Sequence, residues 1–300
     1  MKKQNKTAIP VFLSSDDNYA PYMGTCAHSI LENSKAQFIF YLLIPPNFAQ
    51  KSKRSLQKLA QLYPNCQIKF VNMGVPFPNL KQKIPHLTWP SYYRLLIAER
   101  FPELDKCVYL DVDTLVCGDL AEFYAHNIEG YYYGGVKAPY VYLDRGGPAY
   151  LRSMGLRKNK NYFNAGVLLM NLKKIRTDNL TPVFKKLAWR GSDQEILNIA
   201  GKGNVKMLDF KYNCMTKYFF SREKLYPLLG RKMVENAFRQ PVIIHYCAKA
   251  KPWQFPIDER FWQSARRSPF YAEILERNMQ LKPAVKPKPS FWTKLFRRNG

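Results

Sequence analysis

Continuous apolar segments alternate with amphipathic ones along the N-terminal quarter of the chain, and this alternation constrains the fold most strongly. The segments IPVFLSS (9–15), FIFYLLI (38–44) and QIKFVNM (67–73) have the length and residue types of buried strands. Between them, residues 22–33 and 48–62 carry apolar side chains at helical spacing. Buried strands separated by helices form parallel sheets covered on both faces. The sequence therefore predicts an α/β fold.

The same alternation continues toward the C-terminus. A helix is predicted at 90–100, where Pro90 suits the first turn, and Asp119 followed by Glu122 is typical of another helix start. Further helices are expected at 173–189 and 192–200, and strands at 106–110, 131–137, 165–171, 205–210 and 241–246. We therefore predict one α/β domain over residues 1–255.

The chain is strongly basic, with 47 Lys and Arg against 22 Asp and Glu. The net charge of +25 indicates an anionic partner, which can be nucleic acid, an anionic membrane surface or a phosphorylated substrate. No segment has the ~20 apolar residues of a spanning helix, and the basic, polar N-terminal residues lack the long apolar stretch that is typical of a signal peptide. The six cysteines include no Cys-x-x-Cys pair and are typical of buried free thiols in a reducing compartment. We expect a cytoplasmic protein, soluble or attached to the membrane from its cytoplasmic side.

Residues 256–300 differ in composition from the rest and are predicted to form a basic C-terminal extension. The segment LKPAVKPKPS (281–290) is rich in Pro and Lys and is expected to be extended. The segment FWTKLFRRNG (291–300) places aromatic and aliphatic side chains on one helical face among basic residues. This pattern is typical of a membrane interface, and a disordered basic tail is the alternative.

Asp111 and Asp113 follow the apolar strand at 106–110. In an extended backbone, residues two apart point to the same side, so we expect both carboxylates to converge while Val112 points back into the fold. Ligands of open α/β sheets lie at the carboxyl ends of strands. Two adjacent carboxylates favour a bound cation such as Mg²⁺ or Mn²⁺, although solvated acids in a turn would give the same pattern.

Two residues at the end of another predicted strand strengthen this interpretation. His245 ends the apolar segment PVIIH, and an imidazole among the ligands shifts the preference from Mg²⁺ toward Mn²⁺. Lys251 follows six residues later and could reach a phosphate as a point charge. After the first strand, Asp16, Asn18 and Tyr19 could hydrogen-bond and stack on a base. No glycine-rich phosphate loop follows that strand, so a metal is the economical way to neutralise phosphates.

Six ordered motifs resemble glycosyltransferase family 8. They are FLSSDDNY, YLDVDTLVCGDL, YFNAGVLLMNLKK, SDQEILN, KYN and IIHYCAKAKPW, and they cover about residues 9–255. The resemblance implies a retaining enzyme that uses a nucleotide sugar. It also implies a GT-A fold, a Rossmann-like, mostly parallel central sheet with helices on both faces. Related bacterial enzymes transfer galactose or glucose to lipopolysaccharide or lipooligosaccharide core, so we expect UDP-galactose or UDP-glucose as the donor.

The resemblance also implies roles for individual residues. Asp111, Asp113 and His245 match the Mn²⁺ ligands, with Mg²⁺ possible. Residues that match contacts to the UDP-sugar are Ser14, Asp16, Asn18 and Tyr19 at the uridine, Val112 and the Asn164, Ala165 and Gly166 loop at ribose and sugar, Arg94 near the donor sugar, and Lys251 at the diphosphate. The extension resembles a membrane-attachment region, which implies an enzyme on the cytoplasmic face of the anionic inner membrane and a lipid-linked saccharide acceptor.

Asp193 and Gln194 match the pair beneath the sugar hydroxyls and the anomeric carbon. Retention by double displacement requires a nucleophile close to that carbon, and an amide is a poor one. We therefore expect attack on the same face, with the Gln194 carbonyl stabilising the cation-like sugar. Glu195 is the second candidate for a transient covalent role, against a plain helix-surface acid.

Two positions depart from the family pattern. Ala248 replaces a glycine near the diphosphate lysine, and alanine lacks the freedom of glycine at positive φ. Within residues 137–161, Val141 stands where a relative has a sugar-contacting aspartate, unless Asp144 takes that role. Two alternatives of other classes stay open: a basic nucleic-acid-binding protein, and a nucleotidyltransferase with Asp111 and Asp113 as a two-metal clamp. We expect no nucleic-acid partner, because no recognisable nucleic-acid motif accompanies the charge.

Overall fold

The computed structural model describes residues 8–77, 89–156 and 161–280. Its strands are β1 (Ile9–Ser14), β2 (Phe38–Ile44), β3 (Cys66–Asn72), β4 (Lys106–Leu110), β5 (Thr114–Val116), β6 (Tyr133–Lys137), β7 (Phe163–Asn171), β8 (Val205–Met207), β9 (Cys214–Met215) and β10 (Ile243–His245). Its α-helices are α1 (Ala20–Asn33), α2 (Gln50–Leu62), α3 (Pro90–Tyr93), α4 (Ile97–Arg100), α5 (Leu120–Ala125), α6 (Tyr140–Leu143), α7 (Gly147–Ser153), α8 (Leu172–Thr177), α9 (Leu180–Leu187), α10 (Asp193–Gly201), α11 (Tyr226–Leu229), α12 (Arg231–Arg239), α13 (Glu259–Arg267) and α14 (Tyr271–Gln280).

The central sheet has the strand order β3-β2-β1-β4-β7-β6-β8. Among these seven strands, β7 alone runs against its neighbours β4 and β6, and all other pairs are parallel. Alternate side chains of β1 enter two different core clusters, with Val11 and Leu13 in one and Phe12 in the other. The sheet is therefore covered on both faces, which confirms the predicted α/β fold.

Strand register brings distant segments to one edge of the sheet. Leu13 of β1 lies opposite Leu110 of β4, so the residues that follow these two strands emerge side by side. A second sheet, ordered β5-β10-β9, adjoins this edge. In it β10 runs antiparallel to β5, with His245 opposite Thr114. This register carries a histidine to the turn that follows β4.

Several predicted elements are shorter than expected. The segment 90–100 contains α3, a 3₁₀ turn at Arg94–Leu96 and α4. The predicted helix at 173–189 is interrupted between α8 and α9, where Asn179 adopts a φ of 50°. Asparagine tolerates this left-handed conformation better than most residues, so it can end one helix and begin another. The helix start at Asp119 is confirmed, because its carboxylate accepts a hydrogen bond from the Ala121 N–H.

Helices α13 and α14 pack onto the α/β core, with Phe261, Ala265, Phe270 and Ile274 buried in the same cluster as α1. The Phe270 ring lies against Gly24 of α1, where a Cβ would come within 2.4 Å of it. Packing therefore continues beyond the boundary that composition placed at residue 255. Residues 281–300, which carry the predicted membrane-attachment pattern, lie outside the described residues.

None of the helices described is long and apolar enough to cross a bilayer. All six cysteines are free thiols, four of them buried, as the sequence predicts.

Candidate active site

Asp111, Asp113 and His245 come together at the carboxyl end of β4. The two aspartates lie in the turn between β4 and β5, and His245 is the last residue of β10. His245 Nε2 lies 3.7 Å from Asp111 Oδ2 and 3.3 Å from Asp113 Oδ1. One ligand atom from each residue lies within 4.8 Å of the others, so these three residues could hold a metal ion.

The two carboxylates converge through a turn, which corrects the extended geometry that we expected. The Asp111 carbonyl accepts hydrogen bonds from the Thr114 N–H at 3.2 Å and from Thr114 Oγ1 at 2.8 Å. The turn is required because the chain leaves the central sheet after Leu110 and enters the second sheet at Thr114. Val112, between the aspartates, is partly buried and packs against the main core.

The absence of a side chain at Gly166 of β7 shows whether these residues leave room for a metal ion. A Cβ at this position would lie 2.2 Å from His245 Cε1 and 2.5 Å from Asp111 Oδ2. Only a residue without a side chain leaves the space between these ligands open. Two carboxylates and one imidazole are a donor set that suits a divalent ion, with Mn²⁺ preferred over Mg²⁺. The residues therefore fit the metal that the family resemblance implies.

A buried arginine joins Asp111 to Asp193. The Arg94 guanidinium lies 2.6 Å from Asp111 Oδ1 and 3.0 Å from Asp193 Oδ2, and it donates to the Ala165 carbonyl at 2.7 Å. Burial raises the pKa of Asp193 to about 6, against the opposing effect of the Arg94 cation. Burial alone would lower the pKa of Arg94, but Asp111 and Asp193 raise it above its ordinary value. Arg94 is therefore a fixed cation that holds two acids in place.

Lys251 lies on the other side of the group. Its Nζ is 2.6 Å from Asp113 Oδ2 and donates to the Tyr246 carbonyl at 2.6 Å. Burial alone would raise the pKa of Asp113, but the Lys251 cation holds this pKa well below its ordinary range. Lys251 thus brings a positive charge to the metal group, where the resemblance implies a diphosphate contact.

Gln194 belongs to a partly buried hydrogen-bond network beside β7. Its Oε1 accepts hydrogen bonds from Asn164 Nδ2 and from the Ala165 N–H, both at 3.1 Å. Its Nε2 donates to the hydroxyls of Tyr140 and Tyr162. An amide oxygen that already accepts two hydrogen bonds is a weak nucleophile, which agrees with our preference against double displacement. The predicted contact between this oxygen and a sugar cation stays a prediction.

Glu195 lies next to Gln194 in the chain and stabilises the start of α10. Its Oε2 accepts a hydrogen bond from the Ser192 N–H at 2.6 Å, and the Ser192 side chain accepts from the Glu195 N–H. This reciprocal pair is a capping box at the start of α10. The other carboxylate oxygen accepts from the Tyr150 hydroxyl. Both oxygens accept hydrogen bonds and the residue is buried, so the surface position is wrong for Glu195, while its transient covalent role stays a prediction.

The predicted nucleotide residues follow β1 at the same edge. Ser14 is buried, and its hydroxyl donates to the Pro90 carbonyl at 2.7 Å. Asp16 accepts a hydrogen bond from the Asn18 N–H and caps a 3₁₀ turn. The Tyr19 ring is 37 % exposed and meets Trp253 edge-on at 6.1 Å. An exposed ring on a packed aromatic support is suited to stacking on a base.

The two departures from the family pattern have plain structural outcomes. Among the described residues other than glycine, only Asn179 and Lys202 have positive φ, so Ala248 carries no such strain. Val141 is buried in a small apolar cluster. Asp144 forms an ion pair with Lys217 at 2.7 Å, and its side chain is largely exposed. Neither residue places a free carboxylate beside Gln194.

Sequence reasoning assigned no role to three residues that contact the site. Asn213 bonds to both His245 and Asn164, and Tyr140 and Tyr162 bond to Gln194. The KYN motif contained Asn213 and was a usable signal. Tyr162 begins the YFNAGVLLMNLKK motif and was a usable signal as well, whereas nothing around Tyr140 pointed to Gln194.

Comparison with known proteins decides the family. A sequence model described as glycosyl transferase family 8 matches residues 10–255. The chain belongs to glycosyltransferase family 8. A Haemophilus influenzae protein named as a glycosyltransferase is 30 % identical over 252 residues, which are 81 % of this chain and 72 % of the relative. The lipopolysaccharide 1,2-glucosyltransferase of Escherichia coli is 27 % identical and covers 95 % of this chain and 84 % of its own length.

A solved structure agrees with this assignment. The galactosyltransferase LgtC, in complex with donor and acceptor sugar analogs, has a TM-score of 0.70 and 27 % identity, over 93 % of this chain and 98 % of LgtC. This family 8 glycosyltransferase therefore has the GT-A fold that the motifs predict. Enzymes with this fold use a nucleotide-sugar donor and a divalent metal, and Asp111, Asp113 and His245 form a candidate site for that metal.

Proposed function

We propose that this family 8 glycosyltransferase moves a hexose, galactose or glucose, from a UDP-sugar to a saccharide acceptor with retention of configuration. The proposal rests on the position of one segment between the metal group and Gln194. The Asn164–Gly166 segment of β7 separates the metal group from Gln194, with Gly166 against Asp111 and His245 and Ala165 bonded to Gln194. A diphosphate on one side and a sugar on the other would straddle this segment.

Charged side chains supply the binding of the donor. Asp111, Asp113 and His245 would hold the metal ion, Mn²⁺ by preference, which as a Lewis acid stabilises a diphosphate leaving group. Lys251 would bind a diphosphate oxygen as a point charge, and its proximity to Asp113 fixes it there. Tyr19 would stack on uracil, with Asp16 and Asn18 beside it.

Retention is best explained by attack on the face from which UDP departs. The anomeric C–O bond to the phosphate breaks, a new C–O bond forms to the acceptor oxygen, and the departing phosphate oxygen takes the acceptor proton. No enzyme nucleophile is required, which fits the fully bonded states of Gln194 and Glu195. Asp193, which is paired with Arg94, would accept hydrogen bonds from sugar hydroxyls.

The acceptor is proposed from the relatives and the C-terminal sequence. A relative named as a lipopolysaccharide glucosyltransferase matches almost the whole chain, so we propose a lipid-linked glycan, lipopolysaccharide or lipooligosaccharide core, as the acceptor. The basic aromatic residues 291–300 would hold the enzyme on the cytoplasmic face of the anionic inner membrane.

Hydrolysis of a panel of UDP-sugars without acceptor tests the donor and the metal together. We expect Mn²⁺-dependent release of UDP from UDP-galactose or UDP-glucose, and none after chelation. Equal inertness toward both sugars would overturn the donor assignment. Release of pyrophosphate in place of UDP would favour the nucleotidyltransferase alternative.

A further inference from the structure

Two consecutive backbone N–H groups of β7 determine which atoms donate and which accept in the side-chain amides of Asn164 and Gln194. The Gly166 N–H lies 3.0 Å from one side-chain atom of Asn164, and a backbone N–H can only donate. That atom is therefore the Asn164 oxygen, and its nitrogen is the other one. In the same way the Ala165 N–H identifies Oε1 of Gln194 at 3.1 Å. Neither amide can be turned over without placing two donors or two acceptors together.

Asn213 extends this assignment of donors and acceptors to the metal group of Asp111, Asp113 and His245. Its side chain lies 2.9 Å from Asn164 Oδ1, so the contacting atom of Asn213 is its Nδ2 donor. The remaining atom, Oδ1, is an acceptor and lies 3.0 Å from His245 Nδ1. His245 Nδ1 must then carry the proton. His245 Nε2 is left with a free lone pair, and this is the nitrogen that faces Asp111 and Asp113.

The same assignment of donors and acceptors extends to Gln194, which lies where the sugar is expected. Asn164 Nδ2 donates to Gln194 Oε1, which obliges Gln194 Nε2 to donate to the Tyr140 and Tyr162 hydroxyls. Asn213 is entirely buried, and Asn164 nearly so. Water cannot take the place of a missing partner in such a setting without cost, because an unpaired buried polar group is destabilising.

We propose that Asn213 is a positioning residue that fixes the Nδ1–H tautomer of His245 and the amide orientation of Asn164 together, so that the metal ligand and Gln194 belong to one ordered network. The metal part of this inference rests on the proposed function. An amide is needed at position 213 because this residue must accept from His245 and donate to Asn164 at once. Serine or histidine would not span both partners, and a carboxylate cannot donate.

The tautomer can be measured in the metal-free full-length chain, by long-range ¹H–¹⁵N spectra with ¹⁵N-labelled histidine at a pH where the ring is neutral. His245 is identified by the resonance that Gln replacement, His245→Gln, removes. We expect the Nδ1–H form in the wild type and a mixture of tautomers in Asn213→Ala. An Nε2–H form in the wild type, or an unchanged spectrum in Asn213→Ala, would overturn the proposal whatever the enzyme does.

Mn²⁺ binding by calorimetry gives the second readout, with Asn198→Ala as the matched control. Asn198 is another buried amide that bonds to β7, through Phe163, but it does not contact His245. Loss of an outer partner of a ligating histidine lowers metal affinity roughly 10- to 100-fold. We expect that loss in Asn213→Ala only. Equal losses of Mn²⁺ affinity in both variants would show that Asn213 has only a structural role and would overturn the proposal.

The variant Asn213→Asp separates the effect of Asn213 on the His245 tautomer from its effect on the Asn164 amide. Its carboxylate still accepts from His245, so tautomer and Mn²⁺ affinity should be retained, but it cannot donate to Asn164. We expect a fall in kcat with little change in the KM for the donor. An unchanged kcat would overturn the coupling to Gln194. A wild-type chain that binds no Mn²⁺ refutes the proposed function, and the tautomer measurement still decides the inference.

Discussion

Asp111 divides its two carboxylate oxygens between Arg94 and His245. Oδ1 lies 2.6 Å from the Arg94 guanidinium, and Oδ2 lies 3.7 Å from His245 Nε2. Asp113 does the same, with Oδ2 on Lys251 and Oδ1 toward His245. Each acid therefore has one oxygen on the side of the candidate metal site, while a cation compensates the other oxygen. Two acids can lie close together in this basic chain because a cation accompanies each of them.

Loss of one of these charges should abolish turnover while the fold is retained. Asp113→Asn keeps the size of the side chain but removes a metal ligand, so we expect UDP-sugar turnover to fall by roughly 100-fold or more. Turnover is measured with saturating Mn²⁺, and the fold by circular dichroism. Asp178→Asn, at an exposed acid far from the site, is the control. Undiminished activity of pure Asp113→Asn would refute the metal assignment.

Gly166→Ala should exclude the metal by volume alone. The added methyl group would overlap His245 and Asp111, so either the ligands move apart or the strand shifts. We expect Mn²⁺ binding to be lost in calorimetry. Gly146→Ala is the matched control, since a Cβ there meets nothing within 4 Å. Wild-type Mn²⁺ affinity in Gly166→Ala would show that the ion, if bound, lies elsewhere.

Asp193 should make folding stability depend on pH. Its pKa in the folded chain is about 6, raised from 3.8 chiefly by burial. Between these values the folded state binds the proton more tightly than the unfolded state, so the free energy of unfolding decreases as pH rises from about 4 to 6. The span is roughly 3 kcal/mol for two pKa units. Urea titrations across this range should show the decrease in the wild type and its absence in Asp193→Asn. Identical pH profiles would contradict the assignment.

Gln194→Ala should reduce turnover more than UDP affinity. The side chain bonds to Asn164, Ala165 and two tyrosines beneath the expected sugar position, away from the uridine residues. Steady-state kinetics and calorimetry with UDP and Mn²⁺ separate the two effects. If Gln194→Ala bound UDP weakly but turned over at the wild-type rate, Gln194 would have a binding role instead.

Residues 291–300 should determine membrane attachment. Replacing three aromatic residues by serine, Phe291→Ser, Trp292→Ser and Phe296→Ser, removes the apolar face that the sequence predicts. We expect the full-length variant to lose binding to vesicles of phosphatidylglycerol and phosphatidylcholine in sedimentation. Trp189→Ser removes an exposed aromatic residue of the folded domain and is the control. Equal binding of wild type and triple variant would refute the attachment role.

The sequence by itself determined the elements and the chemical types at the site. Apolar strands, amphipathic helices and the Asp-x-Asp, His and Lys positions are local patterns, and each was readable without knowing its neighbours in space. Asp16 and Asp111 follow strands that were predicted to be parallel, so their grouping at one edge of the central sheet was predictable as well, whereas His245 ends a strand of the second sheet.

Only the tertiary structure decided how these residues are held. The reversed direction of β7, the turn that joins Asp111 to Asp113, the hydrogen bond from Tyr150 to Glu195 and the link from His245 through Asn213 to Gln194 all depend on long-range register. Register between distant segments follows from side-chain packing and from the pairing of buried polar groups. A local pattern specifies which groups are present but not which partners they find, and in this chain those partners determine what each site residue can do.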